Sequence, residues 1–232
     1  MIRGVFWRGA LLAAALWSGA AVWAQADAVE AGETAAPQIV IGLDLSTSNP
    51  LVANDAYAAQ LGERLARELK DLPLKSRVMV RTFGVYDGGV NALKIDETVS
   101  ARAKPADLAE GLGALVAHVP ALVREGKLRS QTKTNIVPFL ETMSHVIDCG
   151  AAPTRVILLT DGAEDSEYGR LTRTGGRLPS PAQALYQGCE ELLILGIGQG
   201  FHSPKATERF RTAWADWAHG AGFQRFTGLY DW

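Results

Sequence analysis

The stretch Ile39-Val40-Ile41-Gly42-Leu43-Asp44-Leu45-Ser46-Thr47-Ser48 decides how the rest of the chain is read. Its first five residues show no polar alternation, the mark of a strand buried on both faces of a parallel sheet. The run ends on a carboxylate, and hydroxyl residues follow at alternate positions. Two later stretches share its character. Val156-Ile157-Leu158-Leu159 runs into Thr160-Asp161-Gly162, and Leu192-Leu193-Ile194-Leu195-Gly196-Ile197 is again continuously apolar. Arg77 to Phe83 alternates instead, with Val78, Val80 and Thr82 on one side. Tyr86-Asp87-Gly88-Gly89 then predicts a turn into a second alternating strand over Val90 to Val99, so one edge of the sheet carries a hairpin.

Helical periods lie between these strands. Tyr57, Leu61, Leu65 and Leu69 form one stripe, closed by Pro73. Pro105 opens a helix whose face carries Leu108, Leu112, Leu115 and Val116. Ile136, Phe139, Leu140, Met143, Val146 and Ile147 give the cleanest period, with Pro138 in the first turn, where proline is tolerated. Ala206, Phe210, Ala213, Trp214 and Trp217 mark a last helix, its tryptophans read as core, and Phe223 to Phe226 a final short strand. The predicted order is strand, helix, strand-hairpin, helix, helix, strand, short helix, strand, helix, strand. That order predicts an α/β fold: a doubly wound, mostly parallel sheet with one antiparallel edge hairpin and helices on both faces.

The chain has 232 residues, 47% hydrophobic and 21% charged, with a formal net charge of −2. No basic patch stands out, so a nucleic-acid partner is not expected. Arg3 and Arg8 precede an apolar stretch, Ala10 to Val22, of signal-peptide length and too short to span a bilayer comfortably. Val22-Trp23-Ala24 places small residues where a signal peptidase reads, which predicts cleavage after Ala24; Ala26-Asp27-Ala28 offers a second site, and an uncleaved anchor is the alternative. The expected organisation is a targeting peptide over 1–24, a tether over 25–37 and one domain over 38–232, exported to the periplasm or beyond. After cleavage no membrane span is expected. The two cysteines, Cys149 and Cys189, suggest a disulfide in an exported protein, against two buried free thiols. No Cys/His cluster has zinc-site spacing, and Gly196-Ile197-Gly198-Gln199-Gly200 lacks the third glycine of a dinucleotide loop.

In doubly wound folds ligands sit at the carboxyl ends of the strands, near the switch point. Asp44 and Asp161 both end strands there. In an extended turn alternate side chains face one way, so Asp44, Ser46 and Ser48 can converge. All three offer oxygen, the donor a hard cation such as Mg²⁺ prefers. The competing reading has the hydroxyls as helix caps and the carboxylates as turn-binding groups.

Asp44-x-Ser46-x-Ser48 after a first buried strand, Thr134-Asn135-Ile136 at a helix start with Leu140 six residues beyond Thr134, and Thr160-Asp161-Gly162 after a later strand resemble the metal-ion-dependent adhesion site of von Willebrand factor type A (VWA) domains. The resemblance covers roughly residues 38–227. It implies a VWA/Rossmann-like fold and a Mg²⁺ or Mn²⁺ ion held by Asp44, Ser46, Ser48, Thr134 and Asp161, with Thr132 the alternative threonine. The aspartates would act directly or through water. It further implies a protein partner that presents an acidic side chain to the metal, and a binding module rather than an enzyme. In the family's strand order the Val156 and Leu192 strands are neighbours, which puts Cys149 and Cys189 at one edge, away from the metal, and predicts their disulfide. Asn49-Pro50 departs from the usual continuation and is expected to shift the first helix. A metal-dependent hydrolase would need a base near the strand ends, for which Glu164, Asp165 and His202 are candidates; a metal-free structural domain is the third reading. The long segment Ala163 to Ser180 is expected to help choose the partner, with Arg170, Arg173 and Arg177 offsetting Glu164, Asp165 and Glu167. The alternative is a loose surface excursion.

Overall fold

Continuous β-branched runs meet their backbone hydrogen bonds by pairing side by side, and the computed structural model shows how. It describes residues 35–232 except positions 86–88, 90, 92, 174, 183, 202 and 232. The expected targeting peptide, most of the tether, part of the Tyr86–Gly88 turn and His202 lie outside the described residues. The strands are β1 (Gln38–Asp44), β2 (Arg77–Phe83), β3 (Lys94–Thr98), β4 (Thr154–Leu159), β5 (Glu191–Leu195) and β6 (Arg225–Leu229), in the spatial order β3-β2-β1-β4-β5-β6. Only β3 is antiparallel to its neighbour. The chain leaves β1 towards β2 on one side and returns to β4 on the other, so the switch point lies between β1 and β4, as expected.

The helices are α1 (Asp55–Leu69), α2 (Pro105–Ala117), α3 (Val119–Arg124), α4 (Ile136–Ser144) and α5 (Pro204–Ala221), with a 3₁₀ turn at Pro50–Val52. One core pairs α1 and α2 with Ile39, Ile41, Leu43, Val78, Val80, Ile157 and Leu193. The other pairs α4 and α5 with Val40, Met79, Phe83, Val156, Leu158 and Ile194. Trp214 and Trp217 are buried in the second core, as their spacing predicted. Gly42 sits in β1 where a Cβ would collide with Leu158, Phe139 and Phe83, so its missing side chain admits the Phe83–Phe139 stack at 4.6 Å.

Four expectations change. Among the described residues no helix forms between β4 and β5; they are turns and extended chain, broken by Gly175-Gly176, Pro179 and Pro181. The last strand is Arg225–Leu229 rather than Phe223 to Phe226, and Phe223 stacks on Tyr186 at 4.3 Å instead. The Ile136 helix stops at Ser144 and leaves Val146 exposed. β2 is buried on both faces, because Met79 and Phe83 meet α4 while Val78 and Val80 meet α1 and α2. A short helix, α3, also follows α2 directly, with Pro120 in its first turn.

The disulfide is present between Cys149 and Cys189, with Cα atoms 4.7 Å apart. Both cysteines precede their strands, at the sheet edge opposite Asp44 and Asp161. Closing a loop of 40 residues contributes about 4 kcal/mol in the chain-entropy picture. The same edge carries an ion-pair network: Glu191 accepts from Arg225 and Arg155, and Arg155 also reaches Glu68.

Candidate metal centre

Asp44 closes β1, and Asp161 lies two residues beyond β4, the neighbouring parallel strand. Each carboxylate is partly committed to its own turn. Asp44 Oδ1 accepts from the Ser46 N–H at 2.8 Å, and Oδ2 accepts from the Thr160 hydroxyl at 2.6 Å. Asp161 Oδ1 accepts from the Ala163 N–H at 2.9 Å. Gly162 takes φ +75° between them, a conformation that costs a side-chain-bearing residue, and so turns the chain inward after Asp161. The hydroxyls of Ser46 and Ser48 lie 3.2 Å apart, which is the convergence expected of alternate residues.

Thr134 lies on a separate segment that is stitched by its backbone to both turns. Gln131 N–H donates to Leu45 O, and Thr47 N–H donates to Gln131 O, each at 2.8 Å. Asp165 N–H donates to Thr134 O at 3.0 Å. Thr134 is buried and Thr132 exposed, which favours Thr134 of the two threonines. Thr134 does not itself open the helix, however. α4 begins at Ile136, and its first N–H groups, of Ile136 and Val137, donate to Glu164 Oε2 at 2.8 and 3.0 Å. Glu164 therefore caps α4 from across the site.

Asp44 and Asp161 are both fully buried, and among the described residues neither forms an ion pair. Burial raises both carboxyls well above the ordinary aspartate range, and their mutual repulsion pushes Asp44 further. The Thr160 and Ser46 donors at Asp44, and the Ala163 N–H and Ser48 hydroxyl at Asp161, only partly offset this. Asp161 Oδ2 is buried with no hydrogen-bond partner among the described residues. An unpaired buried carboxylate oxygen is costly unless something positive meets it. Among the described residues no group of three or more His, Cys, Asp and Glu could hold an ion; this set has two carboxylates and otherwise hydroxyls. That donor set fits a hard dication, because two charges are supplied and the neutral oxygens complete the shell.

Sequence reasoning missed the roles of three residues here. Asn49 is buried and its Nδ2 donates to Asp44 O at 3.0 Å and Leu159 O at 3.1 Å, strapping the ends of β1 and β4 together. Its Oδ1 accepts from Leu51 N–H, so the unusual Asn49-Pro50 makes a 3₁₀ turn and delays α1 to Asp55, as that departure foretold. Thr160 and Glu164 are the others. Glu164 Oε2 caps α4 while its Oε1 is buried with no partner among the described residues, and Asp165 is engaged with Lys133 and Arg170. The segment after Asp161 is pinned rather than loose: Leu171 is fully buried, and Arg209 donates to its carbonyl at 3.0 Å.

The strand order, the antiparallel edge and the two helical layers give the doubly wound α/β architecture that the VWA resemblance implies. Solved structures similar to it include the pilus adhesin SpaC from Lactobacillus rhamnosus GG in its open conformation, 16% identical with a TM-score of 0.45, covering 85% of this chain and 28% of that one. The manganese-loaded Plasmodium vivax TRAP protein is 14% identical with a TM-score of 0.42, covering 85% and 69%. The ArnB paralog VWA2 from Sulfolobus acidocaldarius is 14% identical with a TM-score of 0.42, covering 85% and 42%. The chain thus spans less than a third of the adhesin. No family model and no curated protein matches the sequence.

Proposed function

We propose that this chain is an exported binding module that holds one Mg²⁺ or Mn²⁺ ion through Asp44, Ser46, Ser48, Thr134 and Asp161 and uses it to bind a partner protein through an acidic side chain. The observation that carries this reading is the buried, mutually repelling carboxylate pair at the switch point, with Asp161 Oδ2 unpartnered and two hydroxyls beside it. When bound, the ion supplies an electrophilic position for a partner carboxylate. Asp44 and Asp161 supply the charge, and Ser46, Ser48 and Thr134 add neutral oxygens, so the ion keeps much of its pull on an outside anion. Thr160 and Asn49 hold Asp44 in place, and Glu164 fixes the start of α4 beside Thr134.

The Cys149–Cys189 bond supports an oxidising compartment, and no helix among the described residues is long and apolar enough to cross a membrane. A binding role rather than catalysis is our reading because Asp165 is held by Lys133 and Arg170 and one Glu164 oxygen is spent on capping α4. Calorimetric titration with Mg²⁺ and Mn²⁺, followed by capture of envelope proteins with and without chelator, tests the reading. Saturable metal binding and chelator-sensitive capture are expected. Capture that ignores chelator would overturn the metal-bridged mechanism.

A further inference from the structure

A cavity of 490 Å³ lies between the β2–β3 edge and α4, on residues the metal site does not use. That volume is in the range of small-molecule sites. Its walls are mostly apolar: Phe83 and Phe139, stacked on each other, with Pro138, Met143 and Val146. Two cations, Arg81 and Lys94, stand on the strand side. Arg81 is partly committed, its Nη1 donating to the Val80 and Ile95 carbonyls and its Nη2 lying 4.0 Å from Asp96, which is held chiefly by Arg77. Lys94 is exposed. Asn135 lines the same cavity; the residue is 5% exposed, and its Oδ1 has no hydrogen-bond partner among the described residues. A buried acceptor left unmatched is costly, and a ligand N–H would remove that cost.

We propose that this cavity is a second ligand site, which takes an apolar side chain carrying an amide N–H and a carboxylate: an acylated apolar amino acid or the C-terminal residue of a peptide. The ring or branched chain fills the space against Phe83, Phe139 and Met143. The amide N–H donates to Asn135 Oδ1. The carboxylate faces Lys94 and Arg81. The site is independent of the metal and stands or falls without it.

The test uses the protein labelled with ¹³C at its methionine methyls, in chelator-treated buffer, so that no carboxylate is drawn to the candidate metal centre. N-acetyl-L-phenylalanine is the probe. A saturable shift of the Met143 methyl, larger than that of Met79 in the adjoining core, is expected. N-acetyl-L-phenylalaninamide, which lacks the anion, should bind about three- to fivefold more weakly. 4-Phenylbutyrate, which keeps ring and carboxylate but has no amide, should weaken by about fivefold. Lys94→Glu should weaken the acid and leave the amide unchanged, and Val146→Trp, a change at an exposed rim position, should abolish the shift. N-acetyl-Ala-Ala-Phe distinguishes the sources: tighter binding than the single residue assigns a peptide C-terminus, weaker binding a free acylated amino acid, and either supports the site. No saturable shift up to about 10 mM probe, or equal binding of acid and amide with Lys94→Glu silent, would overturn it. Either failure leaves the metal reading untouched.

Discussion

Asp44 carries more of the candidate site than any other side chain: it meets Ser46, Thr160 and the field of Asp161 at once. Replacing it with Ala removes one of the two charges that hold the ion. Metal binding and metal-dependent partner capture are both expected to disappear, read by calorimetry, while circular dichroism stays native. Ser46→Ala removes only a neutral donor and should weaken the metal by about tenfold, in the range of lost supporting contacts at metal sites. Undiminished metal affinity in a folded Asp44→Ala protein would refute the assigned site. Asn49→Ala should cost about 1–3 kcal/mol in denaturant unfolding, because the Asp44 and Leu159 carbonyls lose a buried donor. The aspartates and serines were legible because their roles are local: strand end, then alternate turn positions. Glu164 was not. Its oxygen meets Ile136 and Val137 more than twenty-five positions back along the chain, and no short-range pattern announces a cap supplied from across the fold. Sequence logic saw only a titratable group near a metal and read a base.

At the scale of elements, α1 and α2 touch through Gly62 and Gly113, each placed where a Cβ would run into the other's backbone. Gly62→Val should force these helices apart and lower stability by about 1–3 kcal/mol, measured by urea unfolding. Cys149→Ser with Cys189→Ser should cost up to about 4 kcal/mol, and labelling of the unfolded, unreduced native protein should find no free thiol. The pinned segment after Asp161 gives a sharper form to the partner-choice idea. Arg170 is tied to Asp165, whereas Arg173, Gly175 and Arg177 are exposed. Changing Arg170, Arg173 and Arg177 together to Ala should weaken capture of the partner without altering metal affinity; unchanged capture would remove this segment from recognition. The buried strands and the three long helices were readable because apolar periods report burial directly. The missing helix before β5 was not, since a segment with Leu171 and Tyr186 buried can look periodic while its prolines and glycines forbid the backbone.

For the whole molecule the two sheet ends titrate in opposite senses. Burial pushes Asp44 up to about 7, Asp161 to about 6 and Glu164 to about 7. A folded-state pKa above the unfolded one means the fold binds extra protons, so stability falls as pH rises through that window, from about 4 towards 7. At the other end, burial raises Glu191 but is outweighed by Arg225, Thr227 and Arg155, which bring it down to about 2. Its contribution is present above its unfolded value near 4.5 and is lost as pH falls towards 2. Metal-free protein should therefore melt highest in mildly acidic buffer, and lower both at pH 8 and below pH 3. Added Mg²⁺ should raise the melting temperature most on the alkaline side, where the carboxylates are ionised, and a metal effect independent of pH would contradict the assigned ligands. The two sheet ends also differ in how their charges are met: the disulfide end is internally neutralised by Arg155, Glu68, Glu191 and Arg225, while Asp44 and Asp161 form a buried acidic pole that no cation among the described residues pairs. Uptake of a single dication would cancel that pole rather than spread thinly over the surface. Elution from an anion exchanger at pH 8 should then move earlier in one discrete step as Mg²⁺ is added, and Asp44→Ala should elute at a position that the ion no longer shifts.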